Sequence, residues 1–405
     1  MNLSHPLPPN VTYEMLTAAF WLNRVSDHVF HTADTIAAFN RHVYEILNLP
    51  EISTLPDHLP AEQVVEQIEK YFDHAQKTRY GGSSQLLAAS YFETLHHNAL
   101  PELEKHIPVQ FGLAVRRTHV RAFPSSDLIM AEPYDFAFDL AQETSIDVGW
   151  PVAVLLSSRD QKWSFCLVPH YWGWVAASDI ATAPREQVQH YAESFPFVRT
   201  IANRGLVALE KGGGVTPQMG TRLPLAESQQ VSIPVREKDG QLQLVCGSIH
   251  PEHFHTGDLP CTLANIFTQA FSLTGEAYAW GDSRLGIFGR DCSRFIKDVY
   301  ATIGIILPRN GDQQGQAGKL RVAFSSDMSD AERTRLIVEH GQPGDILVIP
   351  THVMLYLGHI EGKPYIIHDV TSGQNRIIVS DLLLGQGSPR GSLLSRLDRM
   401  VGVEL

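Results

Sequence analysis

Cys292 lies in the stretch Gly-Arg-Asp-Cys-Ser-Arg-Phe, residues 289–295, among acidic, hydroxyl and basic neighbours. Cysteine more often sits among apolar ones. After it come Phe295, Ile296, Val299, Tyr300 and Ile303, an apolar stripe at helical spacing that stops at Gly304. The thiol is therefore expected at a helix N-terminus, where unpaired N–H groups and the positive dipole end favour a thiolate over a thiol. A dipole alone is too weak to make a nucleophile, so a histidine base is also needed. Among the 19 histidines, His352 and His368 stand out. They open and nearly end the apolar runs 352–358 and 365–370, where a polar ring is otherwise out of place. Taken singly, each is better read as structural. In the order Cys292, His352, His368, the first imidazole would take the thiol proton and the second would orient that imidazole. Side chains alternate along strands, so the two rings share a face only if the loop between them has an odd count or a strand carries a bulge.

Rival constellations are weaker. His250, His253 and His255 have metal-like spacing, but no cysteine or second histidine cluster completes a site, and neither metal nor cofactor is expected. The turn Lys-Gly-Gly-Gly-Val-Thr-Pro, residues 211–217, lacks the Gly-Lys-Ser/Thr ending of a phosphate loop and reads as a hairpin. No Gly-x-Ser-x-Gly elbow supplies a serine nucleophile. The cysteines at 166, 246, 261 and 292 are too sparse for a disulfide scaffold and read as thiols.

The elements that must position these residues belong to a globular, multidomain chain of 405 residues, 43% hydrophobic and 19% charged. A net charge of −12 without basic runs argues against nucleic acid and against anionic membrane surfaces. There is no long apolar run and no export-signal pattern in the first ten residues. The chain as written is thus expected in the cytoplasm, or in the periplasm or outside if a signal was trimmed. Residues 1–107 read as helical, with a helix capped by Thr12, one after Pro60 and one from Ser84 through Leu95. Short apolar runs separated by Gly, Pro, Ser and Asp turns follow over 108–188 and 189–258 and suggest two small β-barrels. The unit 259–405 begins with helices, one of them capped at Thr262, and ends in strands, which makes it α+β.

The motifs Tyr-Ala-Trp-Gly (278–281), Asp-Cys-Ser-Arg-Phe (291–295), Leu-Pro-Arg-Asn (307–310), His-Val-Met-Leu-Tyr-Leu-Gly (352–358) and Tyr-Ile-Ile-His-Asp (365–369) resemble, in this order, an NlpC/P60 cysteine peptidase. The β regions, with Trp-Gly-Trp-Val (172–175), are similar to the paired bacterial SH3 domains that some members carry after a helical stabilising segment. The resemblance implies a papain-like domain that hydrolyses the bond between γ-D-glutamate and an L-diamino acid in murein peptides. It makes Cys292 the nucleophile, His352 the base and His368 its orienting group, and Tyr278 and the Cys292 N–H the oxyanion donors. It assigns Asp291 and Ser293 to the substrate's amino end, and it implies a first SH3 domain that restricts that end to short peptides with a free amino terminus. Gly311 departs from the pattern, since relatives often carry serine there. Two rivals stay open: a related papain-like amidase or acyltransferase acting on cell-wall material, and a non-catalytic SH3-type wall-binding module. The diamino acid, meso-diaminopimelate or L-Lys, and the oligomeric state are left open as well.

Overall fold

The computed structural model describes residues 6–25, 29–75, 77–210, 212–227, 229–371 and 373–405. They fall into two compact units that are not consecutive in the chain. One gathers the described residues up to Leu49 with Asp258–Tyr278 and Arg290–Leu405, and the other gathers Pro50–Gly257 with Ala279–Gly289. The helical segment 1–107 is thus divided between them.

In the first unit, Thr17 rather than Thr12 caps the opening helix. Its backbone is extended and its hydroxyl accepts from Phe20 N, so Glu14–Leu16 is only a 3-10 turn and the helix is Ala18–Leu22. Trp21 from this helix is buried, donates its indole N–H to Met15 O and meets the Tyr365 ring at 5.5 Å. Helix Ala33–Ile46 starts on a Thr32/Thr35 capping box, and its Asn40 side chain bonds Gly304 O and Ile306 N just past the end of the cysteine helix. Thr262 caps Leu263–Ser272 through Asn265 N, as its position before the apolar run predicts.

The sheet of this unit has six antiparallel strands in the order Lys319–Ala323, Arg399–Gly402, Ile346–Ile349, His352–Ile360, Lys363–Val370, Arg376–Asp381. Leu347, Met354, Tyr356, Ile366 and Met400 cover one face with Ile337. Ile337 belongs to helix Asp330–His340, in a region read as strands; Ser329 starts it by accepting from Glu332 N. The cysteine helix, Cys292–Ala301, packs on strands His352–Ile360 and Lys363–Val370.

In the second unit, strands in the order Ile180–Ala183, Gln110–Ala114, Pro151–Ser157, Trp163–Val168, Tyr171–Ala176, Thr118–Arg121, Gln142–Ile146 form a seven-stranded antiparallel sheet. Leu113, Phe165 and Trp174 of this sheet share a core with Val64 and Ile68 of helix Ala61–Ala75. The next helix is Ala89–Ala99, later than its apolar spacing suggests, because Ser84 takes φ +62° in a turn closed by Gly81 N to Gln85 O. A second seven-stranded sheet spans residues 197–256 around Val198, Val207, Leu223, Val231 and Ile233. Its hairpin Val207–Leu209/Gly214–Val215 holds the Gly-rich turn, of which Lys211 lies outside the described residues.

The Tyr-Ala-Trp-Gly motif ends in this unit. Gly281 has φ +56°, and a Cβ there would lie 2.5 Å from Gln142 O, so only glycine fits. Gln142 Nε2 donates to Gly281 O, and buried Asp282 accepts from Thr144 Oγ1, Ser145 N and Ser145 Oγ.

Candidate active site

Asp291 is the N-cap of the cysteine helix, its Oδ1 accepting from Arg294 N at 2.9 Å, so Cys292 is the first helical residue. This helix buries charge where most bury only an apolar face. Arg290, wholly inaccessible, donates to Asp298 Oδ2 at 2.9 Å and to Glu276 Oε2 at 2.6 Å, and Arg294 Nε donates to Asp298 Oδ1 at 2.6 Å. These bonds tie the helix start to the segment before it.

The histidines meet through a bulge. The hairpin loop is Glu361-Gly362, an even count, with positive φ at both residues. Near the turn the pairs are Ile360 with Lys363 and Gly358 with Tyr365; beyond it they are Tyr356 with Ile366 and Leu355 with Ile367. Leu357 is the extra residue. It reverses the parity of the strand beyond it, so His352 and His368 share a face. Their rings meet at Nε2···Nδ1 2.8 Å.

The chain of hydrogen bonds sets the tautomers. Ser380 Oγ donates to Asp381 O at 2.9 Å and therefore accepts from His368 Nε2–H at 3.1 Å. His368 Nδ1 is then an acceptor and takes the Nε2–H of His352, which leaves His352 Nδ1 with a lone pair. Cys292 Sγ receives the Val353 N–H, one residue along from His352.

Burial decides the resting charges. It pushes the Cys292 thiol up to about 12, with Asp291 adding to the rise and the Val353 N–H opposing it. It pushes His352 down to about 4, with Arg396 adding, and holds His368 well below the usual range. The lowered thiol pKa expected from the helix end is thus outweighed by desolvation, and the pair rests as thiol and neutral imidazole. Alkylation of Cys292 by iodoacetamide, followed by peptide mapping, should accelerate steadily from pH 6 to 9. A plateau beginning near pH 5 would show a preformed thiolate–imidazolium pair instead.

The remaining sequence-predicted residues gather at the same helix start. Tyr278 is buried and its backbone N donates to Asn375 O. Burial, then Asp291 and Cys292, hold its phenol above the ordinary range, so it remains a proton donor. Asp291 is bound through both oxygens by Arg309, at 3.2 Å from Nη1 and 2.7 Å from Nη2, and Arg309 Nη1 also reaches Ser293 Oγ at 2.8 Å. Gln314 Nε2 donates to Ser293 O and Pro308 O. A Cβ on Gly311 would lie 3.1 Å from Val353 Cγ1 and 3.8 Å from Ser293 Cβ, so the departing position borders the site. Sequence reasoning missed Arg309, Gln314 and Ser380. Arg309 stands in the quoted Leu-Pro-Arg-Asn motif, but Ser380 carries no local signal.

Residues 275–383 match the NlpC/P60 family model, and residues 130–176 match an SH3 domain of the SH3b1 type. The chain carries an NlpC/P60 domain. The SH3b match falls on strands of the first seven-stranded sheet. Among solved structures, an NlpC/P60 endopeptidase from Photobacterium damselae subsp. piscicida shares the fold, with TM-score 0.80 at 19% identity over 100% of this chain and 99% of the other. An NlpC/P60 family protein from Bacillus cereus aligns over 65% of this chain and 83% of its own, with 21% identity and TM-score 0.46. No curated protein matches the chain. The segment matching NlpC/P60 contains the whole Cys292, His352, His368, Ser380 set. In the NlpC/P60 domain, Ser380→Ala should therefore free the imidazole tautomers and lower kcat about 10-fold with KM little changed, the scale of a lost orienting bond. Ser380→Thr should restore most of it, and an unchanged kcat in the alanine variant would remove Ser380 from the relay.

Proposed function

We propose that the NlpC/P60 domain is a cysteine endopeptidase. It cleaves the γ-D-glutamyl–L-diamino acid bond of murein peptides that carry a free N-terminal L-Ala, in cell-wall peptide recycling or turnover. The observation that carries this reading is the chain Ser380–His368–His352, which leaves a lone pair on His352, while the next residue, Val353, gives its N–H to the Cys292 thiol at a helix start. The resemblance of the motifs supplies the bond, and the likeness of fold to the Photobacterium endopeptidase agrees in reaction class. The sheet over 197–256 is proposed as a second SH3-like unit.

In this mechanism the substrate's γ-carbonyl carbon approaches Cys292 Sγ. The thiol proton passes to His352 Nδ1 as the C–S bond forms, so charge separation develops only in the transition state. The oxyanion accepts from the Cys292 backbone N–H and the Tyr278 hydroxyl, donors that the family resemblance assigns and that belong to two buried residues. Collapse breaks the C–N bond, and His352 delivers its proton to the departing amine of the diamino acid. Water then attacks the thioester with its proton going to His352. The new acid, L-Ala-γ-D-Glu, leaves, and the thiol is restored. His368, held by Ser380, keeps the His352 ring in the useful tautomer throughout.

Turnover of the free tripeptide, its N-acetylated form and intact murein, with products identified by mass spectrometry, tests the reading. Release of L-Ala-γ-D-Glu from the free tripeptide is expected, at least about 100-fold slower from the acetylated one, the scale of losing a charged contact. Equal turnover of murein, or products cut at another bond, would favour the amidase reading.

A further inference from the structure

Asp369 follows His368 on strand Lys363–Val370 and points to the opposite face of the sheet. It is completely buried, and neither carboxyl oxygen has a hydrogen-bond partner among the described residues. Antiparallel pairing sets it beside Ile377, whose N donates to Glu276 O. Continuing the register of Leu355 with Ile367 sets it opposite Val353, whose N–H meets Cys292 Sγ. The charged groups that face it are Asp291 at the start of the cysteine helix, Glu276 on the segment bordering the next strand, and Arg290 between them. Its charge also reaches Cys292 and the Tyr278 phenol. Arg376 pairs with Val370 and so lies on the other face, with His368. Burial first, then Asp291 and Glu276, raise the Asp369 pKa well above the carboxylate range against the pull of Arg290, so the resting group keeps its proton.

The neighbouring carboxylates are differently placed. Glu276 and Asp298 are bonded to Arg290, Asp298 also to Arg294, and Asp291 to Arg309 through both oxygens. A substrate ammonium reaching Asp291 therefore meets a carboxylate whose charge a guanidinium already matches. Bringing an unmatched cation into a buried site is costly unless a negative charge appears with it. Among the described residues, Asp369 is the carboxyl near this helix start whose oxygens have no hydrogen-bond partner.

We propose that Asp369 is the charge-compensating residue of the amino-end subsite, releasing one proton to solvent when a cationic substrate amine binds. The inference rests on the proposed function. It adds to it a residue outside the sequence-predicted set and a proton count. Recognition of a free amino terminus becomes a linked equilibrium: ammonium in, proton out, with no net change of charge in the site.

Calorimetric titration tests it. Cys292→Ala protein, which cannot turn substrate over, is titrated at pH 6.5 with L-Ala-γ-D-Glu-meso-diaminopimelate in buffers of differing ionisation enthalpy. At this pH the peptide amine stays protonated, its ordinary pKa being about 7.7–8.0. The expected result is about one proton released per peptide bound. In the further variant Asp369→Asn, which keeps the shape of the protonated acid, the release should vanish and binding weaken about 10-fold or more. A melting curve matching that of the Cys292→Ala protein shows that the fold is kept. Binding without proton release, or release that persists in Asp369→Asn, overturns this inference alone. Failure of the tripeptide to bind the Cys292→Ala protein overturns the substrate reading and this inference with it.

Discussion

Cys292→Ala should abolish release of L-Ala-γ-D-Glu from the free tripeptide, a fall in kcat/KM of at least about 10⁴-fold, the scale seen when a nucleophile is removed from a unit that works together. The substitution removes only Sγ. The Asp291 cap bonds Arg294 N and not the cysteine, and alanine is a better helix former, so the melting temperature should hold or rise. Cys292→Ser should be nearly as inactive. A hydroxyl holds its proton more tightly than a thiol, and His352, pushed down to about 4, is too weak a base to take it. Product release by liquid chromatography, with circular dichroism to confirm folding, measures both quantities. Wild-type turnover in either variant would end the cysteine-peptidase reading.

Arg290→Ala should have the largest effect on stability. Arg290 is inaccessible to solvent and bonds both Glu276 and Asp298, so its loss takes this bond from Glu276 and removes one of the two guanidinium partners of Asp298. Removing one partner from a buried ion network costs about 3–5 kcal/mol. For a body of this size the first thermal transition should drop by roughly 10 °C. A transition left unmoved in Arg290→Ala, read by differential scanning calorimetry, would show that this ion network does not hold the helix start. Activity should fall as well, since Arg290 lies two residues before the nucleophile.

Much of the NlpC/P60 domain was legible because its signals are local. The stripe Phe295, Ile296, Val299, Tyr300 and Ile303 marks one helix face, and Gly304 with φ +83° ends it. The runs at 346–349, 352–358 and 365–370 are apolar on both faces, as buried central strands are. Helix Asp330–His340 was missed because its exposed side is strongly polar and only Arg333 and Ile337 are buried. At the amino end, Thr12 and Thr17 carry the same capping chemistry; the extended backbone at Thr17 decides between them.

The sequence by itself determined which side chains could carry the chemistry, because residue type, helix periodicity and cap residues are properties of a few consecutive positions. The tertiary structure decided how they are used. The bulge at Leu357 turns two histidines on an even-looped hairpin to one face. Ser380, from the next strand, assigns their protons. Arg309 takes the charge of Asp291, and burial reverses the expected resting state of Cys292. Each of these depends on strand register, or on desolvation by segments distant in the chain, and neither is written in the spacing of neighbouring residues.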